Sequence, residues 1–384
     1  MEIALAGKTN VGKTTFFAAS TLVDAEISNR TFTTIKPNIG ISYVVIDCVC
    51  REFNTDCRKC INGKRPVPIK LVDIAGLVPD AHLGKGLGNQ FLSDIMQCDA
   101  LIQVIDISGS TDITGNPASP GSHNPEEDIE FFEKEIDYWL LGILKKNWDK
   151  IRKEQNFYDG LHKALSGLKI SEEKIKLLTE KFSVNRESSQ EDLLKLVKEI
   201  RKETKPMIVA ANKIDIGGSE EIFNEMQKKI DYSIVPCSAD SELALRKAAK
   251  SGLVDYNPWE KDFIIKENID ERKRNALEKI RKHILHKYGS TGIQRCMNET
   301  VFDLLDMIVV FPVENIEKLS DKKGNIFPDA LLLKKGSTAL DLAFKIHEDI
   351  GKKFIAATDV RTHKNVSAKH ELKHRDVISI KAGR

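Results

Sequence analysis

The octapeptide Gly7-Lys8-Thr9-Asn10-Val11-Gly12-Lys13-Thr14 is where residue type and spacing specify chemistry most directly. Its two glycines let successive backbone N–H groups turn inward around anionic oxygens. The apolar run 3–6 before it reads as a buried strand, and the segment from Lys13 reads as a helix whose N-terminus adds positive dipole. Phosphate binding is the chemistry of such a loop. Lys13 is placed to reach the terminal phosphates, and the Thr14 hydroxyl offers a hard oxygen ligand to Mg²⁺. Asn10, Val11, Gly12 and Thr15 complete the expected cradle. A glycine-rich turn with a solvated lysine would explain the octapeptide alone, but not the segments that follow it.

Asp73-Ile74-Ala75-Gly76 ends a second β-rich run. A carboxylate there suits a role in holding Mg²⁺, and Gly76 can bring its N–H close to a γ-phosphate. Asn212-Lys213-Ile214-Asp215 follows a third run. The Asp215 carboxylate can accept from N1–H and N2–H₂ of guanine, a donor pair that adenine lacks. Asn212 can bridge base and loop, and the Lys213 stem can cover the ring. Cys237-Ser238-Ala239-Asp240 follows a fourth run, where Ser238 and the backbone N–H of Ala239 are expected near guanine O6. Four motifs in order, each at a strand end, point to a guanine-nucleotide site.

The elements that must position these residues alternate. Runs 3–6, 41–50, 69–73, 101–106, 207–211 and 233–236 read as strands, with helical stretches between them. That order predicts an α/β fold with a mostly parallel, doubly wound sheet. Residues 109–125 read as a loop. Ile129, Phe132, Ile136, Trp139, Leu140, Ile143 and Leu144 then recur at helical spacing, which predicts a helical insertion. Residues 265–307 read as helical, and 308–384 as a small α+β unit with strands near 309–313, 354–358 and 376–381 and a helix over 339–350. The expected domains are 1–110 and 205–307 for the sheet, 111–204 for the insertion, and 308–384. The formal net charge of +2 creates no global pull toward nucleic acid. No signal-peptide pattern or membrane-length apolar run is visible, so a soluble cytoplasmic protein with no membrane partner is expected.

These motifs resemble those of the Obg-related GTPases, most closely the archaeal relatives of YchF, over nearly the whole chain. Thr31-Phe32-Thr33-Thr34-Ile35-Lys36-Pro37-Asn38 resembles that group's switch I, which implies a Mg²⁺ and γ-phosphate role for Thr34. Residues 76–88 resemble its glycine-rich switch II. Lys334-Lys335-Gly336-Ser337-Thr338 before a helix resembles the start of a TGS domain, a β-grasp unit. The resemblance implies a P-loop GTPase cycling between GTP and GDP, with Lys13, Thr34 and Gly76 at the reaction centre and Thr14, Thr34 and Asp73 around Mg²⁺. It also implies a ribosome or RNA partner. Two departures stand out. YchF proper usually lacks a full Asn-Lys-x-Asp motif and often prefers ATP, whereas this chain has both Asn212 and Asp215. Leu77 stands where Ras-like enzymes have a water-orienting Gln, which implies slow intrinsic turnover. In several relatives K⁺ assists, and Asn10 occupies the residue position implied for its ligand. An ATPase and a nucleotide-sensing module without significant hydrolysis are the alternatives.

Three further features lie outside those motifs. Cys48, Cys50, Cys57 and Cys60 supply four thiols that a hairpin could bring together around Zn²⁺, the alternatives being buried apolar thiols or a disulfide. His82 and His123 could orient water, or simply be solvated loop residues. The last domain is rich in lysine and arginine, so its surface could meet RNA phosphates, or be an ordinary solvated face.

Overall fold

The computed structural model describes residues 1–21, 39–74, 76, 77, 79–84, 88–168, 170–267 and 269–383, the side chains of 88–91 excepted. Thr34 and the rest of 31–38 lie outside the described residues, as do 85–87 within the glycine-rich stretch.

Six strands form one sheet: β1 (Glu2–Ala6), β2 (Ile39–Asp47), β3 (Lys64–Asp73), β4 (Ala100–Asp106), β5 (Met207–Asn212) and β6 (Ile234–Pro236), in the order β2-β3-β1-β4-β5-β6. β1 runs parallel to both β3 and β4, and β4, β5 and β6 continue parallel. Every residue of β4 and β5 is buried, as expected of central parallel strands covered on both faces. A parallel sheet brings the C-terminal ends of its strands to one edge, where ligands bind in such folds. Residues 7–14, Asp73, Asp106, Asn212 and Cys237 all follow or end strands on that edge.

Helix α1 (Lys13–Thr21) leaves the first turn, and α2 (Gly88–Gln97) precedes β4. Between β4 and β5 stand α3 (Glu126–Lys153), α4 (Phe157–Ala164), α5 (Glu172–Lys181) and α6 (Gln190–Thr204). α3 begins Glu126-Glu127-Asp128 and ends with Lys150, Arg152 and Lys153, so its charges complement the helix dipole. Its apolar stripe of Phe132, Ile136, Leu140 and Leu144 is buried in the same core cluster as Ala4, Leu101 and Val209. The insertion therefore shares a core with the sheet. Arg201 of α6 ties it to α3, donating from Nε to Asp137 at 2.7 Å and pairing with Glu133 at 2.9 Å. After β5 come α7 (Ser219–Met226) and α8 (Ala239–Lys250), then a short ribbon of β7 (Val254–Asp255) and β8 (Ile264–Ile265). The helical reading of 265–307 holds from Glu271, with π-helical turns at Arg281–Leu285 and Thr300–Leu304.

The chain divides into two compact units. The first holds residues 69–296 with the P-loop segment, and the second holds 43–68 with 297–384. The second is built on β9 (Met307–Pro312), β10 (Leu331–Lys334), β11 (Phe354–Asp359), β12 (Lys364–Val366) and β13 (Val377–Ala382), in the order β10-β9-β13-β11-β12. β9 and β13 are parallel and the other pairs antiparallel, with helix Ala339–Ile346 packed on the sheet through Ala339 and Leu342. This is the expected β-grasp pattern. The strand expected over 41–50 ends instead at Asp47, and a 3₁₀ turn at Val49–Arg51 follows. Cys48 and Cys50 are therefore not partners on one strand face: Cys48 leads into that turn and Cys50 lies within it. Among the described residues no helix is long and apolar enough to cross a membrane.

Candidate nucleotide site

The P-loop is built by backbone conformations that side chains disfavour. Gly12 has φ +95°, and a Cβ there would stand 2.3 Å from Asn212 Nδ2. That close approach lets Asn212 reach the loop, and the side chain then joins three strand ends. Asn212 Nδ2 donates to Val11 O at 2.8 Å, and its Oδ1 accepts from the N–H of Ala239 at 3.0 Å. The P-loop, the Asn-Lys-x-Asp turn and the Cys-Ser-Ala-Asp turn are thereby held by one buried amide. Asp215, three residues on, is exposed. Ser238 caps α8 through its side chain and bonds the Ser241 hydroxyl at 2.7 Å. The Ala239 N–H expected at guanine O6 donates here to Asn212 Oδ1.

Lys13 is buried, and its Nζ donates to Lys8 O at 2.6 Å, closing the loop on itself. Burial lowers its pKa to about 8, while the Asp73 carboxylate opposes that shift. Asp73 is in turn raised by burial, against the pull of Lys13 and the Thr14 hydroxyl. Thr14 Oγ1 donates to Asp73 Oδ2 at 3.3 Å, so two hard oxygen donors sit side by side beneath the lysine. That pair fits the chemistry of Mg²⁺, which takes oxygen ligands from one or two protein groups and leaves the remaining positions to phosphate and water. Gly76 lies against Thr9. Leu77 is buried in the core, and its N–H donates to Gly7 O at 3.1 Å.

Three arrangements were missed from the sequence. Asp106, at the end of β4, is fully buried. Its carboxylate accepts from the hydroxyls of Ser108, Ser110 and Thr111 and from Lys213 Nζ, the last at 2.8 Å. Burial pushes Asp106 up, but Lys213 and the two serines outweigh that and hold it below the usual carboxylate range. The signal was present as an acidic strand end followed by Ser108-Gly109-Ser110-Thr111. Secondly, the loop after β4 lies on the P-loop. Thr9 Oγ1 donates to Thr114 O at 3.1 Å and Asn10 Nδ2 to Gly115 O at 2.9 Å. Thirdly, Lys8 points away from the cradle. Its Nζ donates to Thr111 O at 2.9 Å and to Asp128 Oδ1 at 2.8 Å.

The two histidines are neither solvated nor free. His123 Nε2 meets Asp128 Oδ1 at 2.7 Å, and His82 Nδ1 meets Glu135 Oε2 at 2.7 Å. Glu135 also accepts from the N–H groups of Asp80 and His82, which makes it the anchor of that turn. In the second unit the four cysteine sulfurs do converge. Its basic residues are partly neutralised: Arg361 and Arg375 both pair with Glu52, and Lys335 pairs with Asp306. Lys334, Lys345, Lys353, Lys364, Lys369 and Lys373 are exposed.

Residues 2–141 match the 50S ribosome-binding GTPase family, residues 210–315 the Obg-like GTPase YGR210-like, G4 motif-containing domain, and residues 321–382 the TGS domain. An uncharacterized GTP-binding protein of Methanocaldococcus jannaschii is 47% identical, with 98% of each chain covered. The ribosome-binding ATPase YchF of Buchnera aphidicola is 28% identical over 98% of this chain and 92% of its own. The crystal structure of a GTP-binding protein from Pyrococcus horikoshii superposes with a TM-score of 0.78 at 36% identity, over the full length of both chains. With its P-loop and base-side turns on one edge of a parallel sheet and a TGS domain at its C-terminal end, the chain belongs to the Obg-like, YchF-related family of P-loop GTPases.

Proposed function

We propose that the chain binds GTP with Mg²⁺, hydrolyses it to GDP and phosphate, and acts as a switch on the ribosome or RNA. Asn212 carries this reading. One amide ties the phosphate loop to both base-side turns and leaves Asp215 exposed at the next turn. There its carboxylate can accept from guanine N1–H and N2–H₂, which adenine cannot supply. The Lys213 stem would cover the base, and Ser238 would hold the facing turn through its bond to Ser241.

Lys13 compensates charge on the transferring phosphoryl group. Thr14, Asp73 and Thr34 would hold Mg²⁺, which when bound would neutralise phosphate charge. In-line attack of water on the γ-phosphate releases phosphate, and the contacts of Thr34 and Gly76 to it are lost. Leu77 faces the core, so it offers no polar group to the attacking water, and slow intrinsic turnover is expected. The Asn10 amide nitrogen serves Gly115, which leaves Oδ1 as the atom to ligate K⁺. Equal turnover in Na⁺ and K⁺ would exclude that role. The name of the Buchnera relative, the TGS match and the exposed lysines support a ribosomal or RNA partner.

A second reading, ATP as substrate, is favoured by one observation: the Ala239 N–H is taken by Asn212, and guanine O6 must find another donor. Calorimetry with GTP, GDP and ATP separates the two. Guanine preference that falls by about 100-fold or more in Asp215→Ala is expected for the GTPase. Equal or tighter binding of ATP would establish the ATPase reading.

A further inference from the structure

Cys48, Cys50, Cys57 and Cys60 place four Sγ atoms within 4.8 Å of one another at the tip of the hairpin between β2 and β3. Three of the four are buried. Buried thiols ordinarily behave as small hydrophobes and turn their sulfurs toward apolar neighbours. Here they turn toward each other: Cys48 Sγ is 3.7 Å from Cys57 Sγ, and Cys50 Sγ is 3.6 Å from Cys60 Sγ. All four are free thiols. With metal–sulfur bonds of about 2.3 Å, the edge of a tetrahedral tetrathiolate site is about 3.8 Å. The Cys48–Cys57 and Cys50–Cys60 separations match that edge.

The backbone around the cluster is organised to present the sulfurs. Cys48 N–H donates to Gly63 O at 2.8 Å, and Thr55 N–H donates to Cys50 O at 3.0 Å. Ile61 and Lys64 exchange two backbone hydrogen bonds at the far side of the loop. Asn54, Arg58 and Asn62 all have positive φ, three non-glycine residues held in a disfavoured region within nine positions. Val49 is fully buried and Phe53 packs on Phe327, so the segment is held at both its backbone and its apolar side chains.

One buried cation adjoins the sulfurs. Arg65 Nη1 lies 3.7 Å from Cys57 Sγ, and its Nη2 donates to Phe327 O and Pro328 O at 3.1 and 3.2 Å. Four thiolates around a divalent cation leave two net negative charges, one of which a buried guanidinium offsets. We propose that Cys48, Cys50, Cys57 and Cys60 bind one structural zinc ion, closed to solvent ligands, with Arg65 as its outer-sphere counter-charge. Sulfur ligands in tetrahedral array select zinc or iron among the metals of the cell, and a site with no open position has no catalytic role.

The test uses the full chain purified under reducing conditions without chelator. Elemental analysis should find one zinc per chain. Chelation with reductant followed by titration with Co²⁺ should give one equivalent of a tetrahedral cobalt–thiolate spectrum, displaced by Zn²⁺. Cys57→Ser should abolish the cobalt charge-transfer bands of a four-sulfur site. Cys98→Ser, which alters a cysteine of the other unit, should leave them intact. Arg65→Ala should weaken zinc by about 10–100-fold while keeping the four-sulfur spectrum. Because the titration is read on the wild-type chain, a variant that does not fold does not spoil it. Failure of the wild-type chain to take up either metal with all thiols reduced overturns the proposal. So does a site that holds iron, or mass spectra showing Cys48–Cys57 and Cys50–Cys60 disulfides in protein kept reduced.

Discussion

At Lys13, burial and charge work against each other. Its pKa of about 8 means that the free protein at pH 8 holds the ammonium on only about half of its molecules. Bound phosphates favour the charged form, so the pKa must rise on binding. A group whose pKa is higher in the complex takes up a proton as the complex forms. Affinity is therefore at its plateau below about pH 8 and falls as pH rises above that value, by up to tenfold per unit. Calorimetry at pH 8.5 in buffers of different ionisation enthalpy should record net proton uptake. A flat affinity from pH 7 to 9.5 would show that the lysine is already fully charged. The residues of the proposed phosphate site could be picked out in the sequence because each answers a local requirement of that site: glycine for a backbone turn, lysine for phosphate charge, carboxylate for Mg²⁺. Asp106 has local hydroxyl partners in Ser108, Ser110 and Thr111, but its one charged partner, Lys213, meets it only when β4 and β5 lie side by side, so the role of the carboxylate was not legible.

At the scale of elements, the loop after β4 is a buttress for the phosphate loop. Gly115 has φ +86°, and a Cβ there would lie 1.9 Å from Thr9 Oγ1. Gly115→Ala must adopt a left-handed conformation costing about 1–2 kcal/mol and push the loop off Thr9 and Asn10. A thermal midpoint lower by several degrees and nucleotide binding weaker by several-fold are expected, read by calorimetry. Unchanged affinity would make this loop a bystander. Strand positions were readable because the buried parallel strands are short apolar runs bounded by turn residues. The end of β2 was misplaced because residues 48–50 look β-rich, yet the chain there must turn to bring Cys48 and Cys50 to Cys57 and Cys60. The π-helical turns at Arg281–Leu285 and Thr300–Leu304 leave no trace in a pattern of 3.6 residues per turn.

For the whole molecule, the consequential fact is that the hairpin 43–68, far upstream in sequence, belongs to the unit that contains the TGS fold. Nothing local predicts this, since it depends on contacts such as Val45 N–H to Asn298 Oδ1 and Arg65 to Phe327 O. Two units with separate cores predict two steps in thermal unfolding. GTP at 100 times its Kd should raise the transition of the P-loop unit by about 2.7 kcal/mol at 25 °C and leave the other in place. Chelation should lower only the transition of the cysteine-bearing unit. A single transition shifted equally by both treatments would show that the units unfold as one.

The ion pair between Lys8 and Asp128 bears on how this sequence can drift. Lys8 occupies a variable place in the phosphate-loop pattern, yet its ammonium lies in the core against a carboxylate whose other oxygen has no partner among the described residues. Removing Asp128 strands a buried ammonium, at a cost of about 3–5 kcal/mol, and removing Lys8 leaves the buried carboxylate to His123 alone, whereas replacing both with apolar groups of similar volume is far milder. Descendants of this chain should therefore either retain both residues or lose both together, with His123 following, and the first turn of α3 would inherit the constraint of a loop more than a hundred residues upstream.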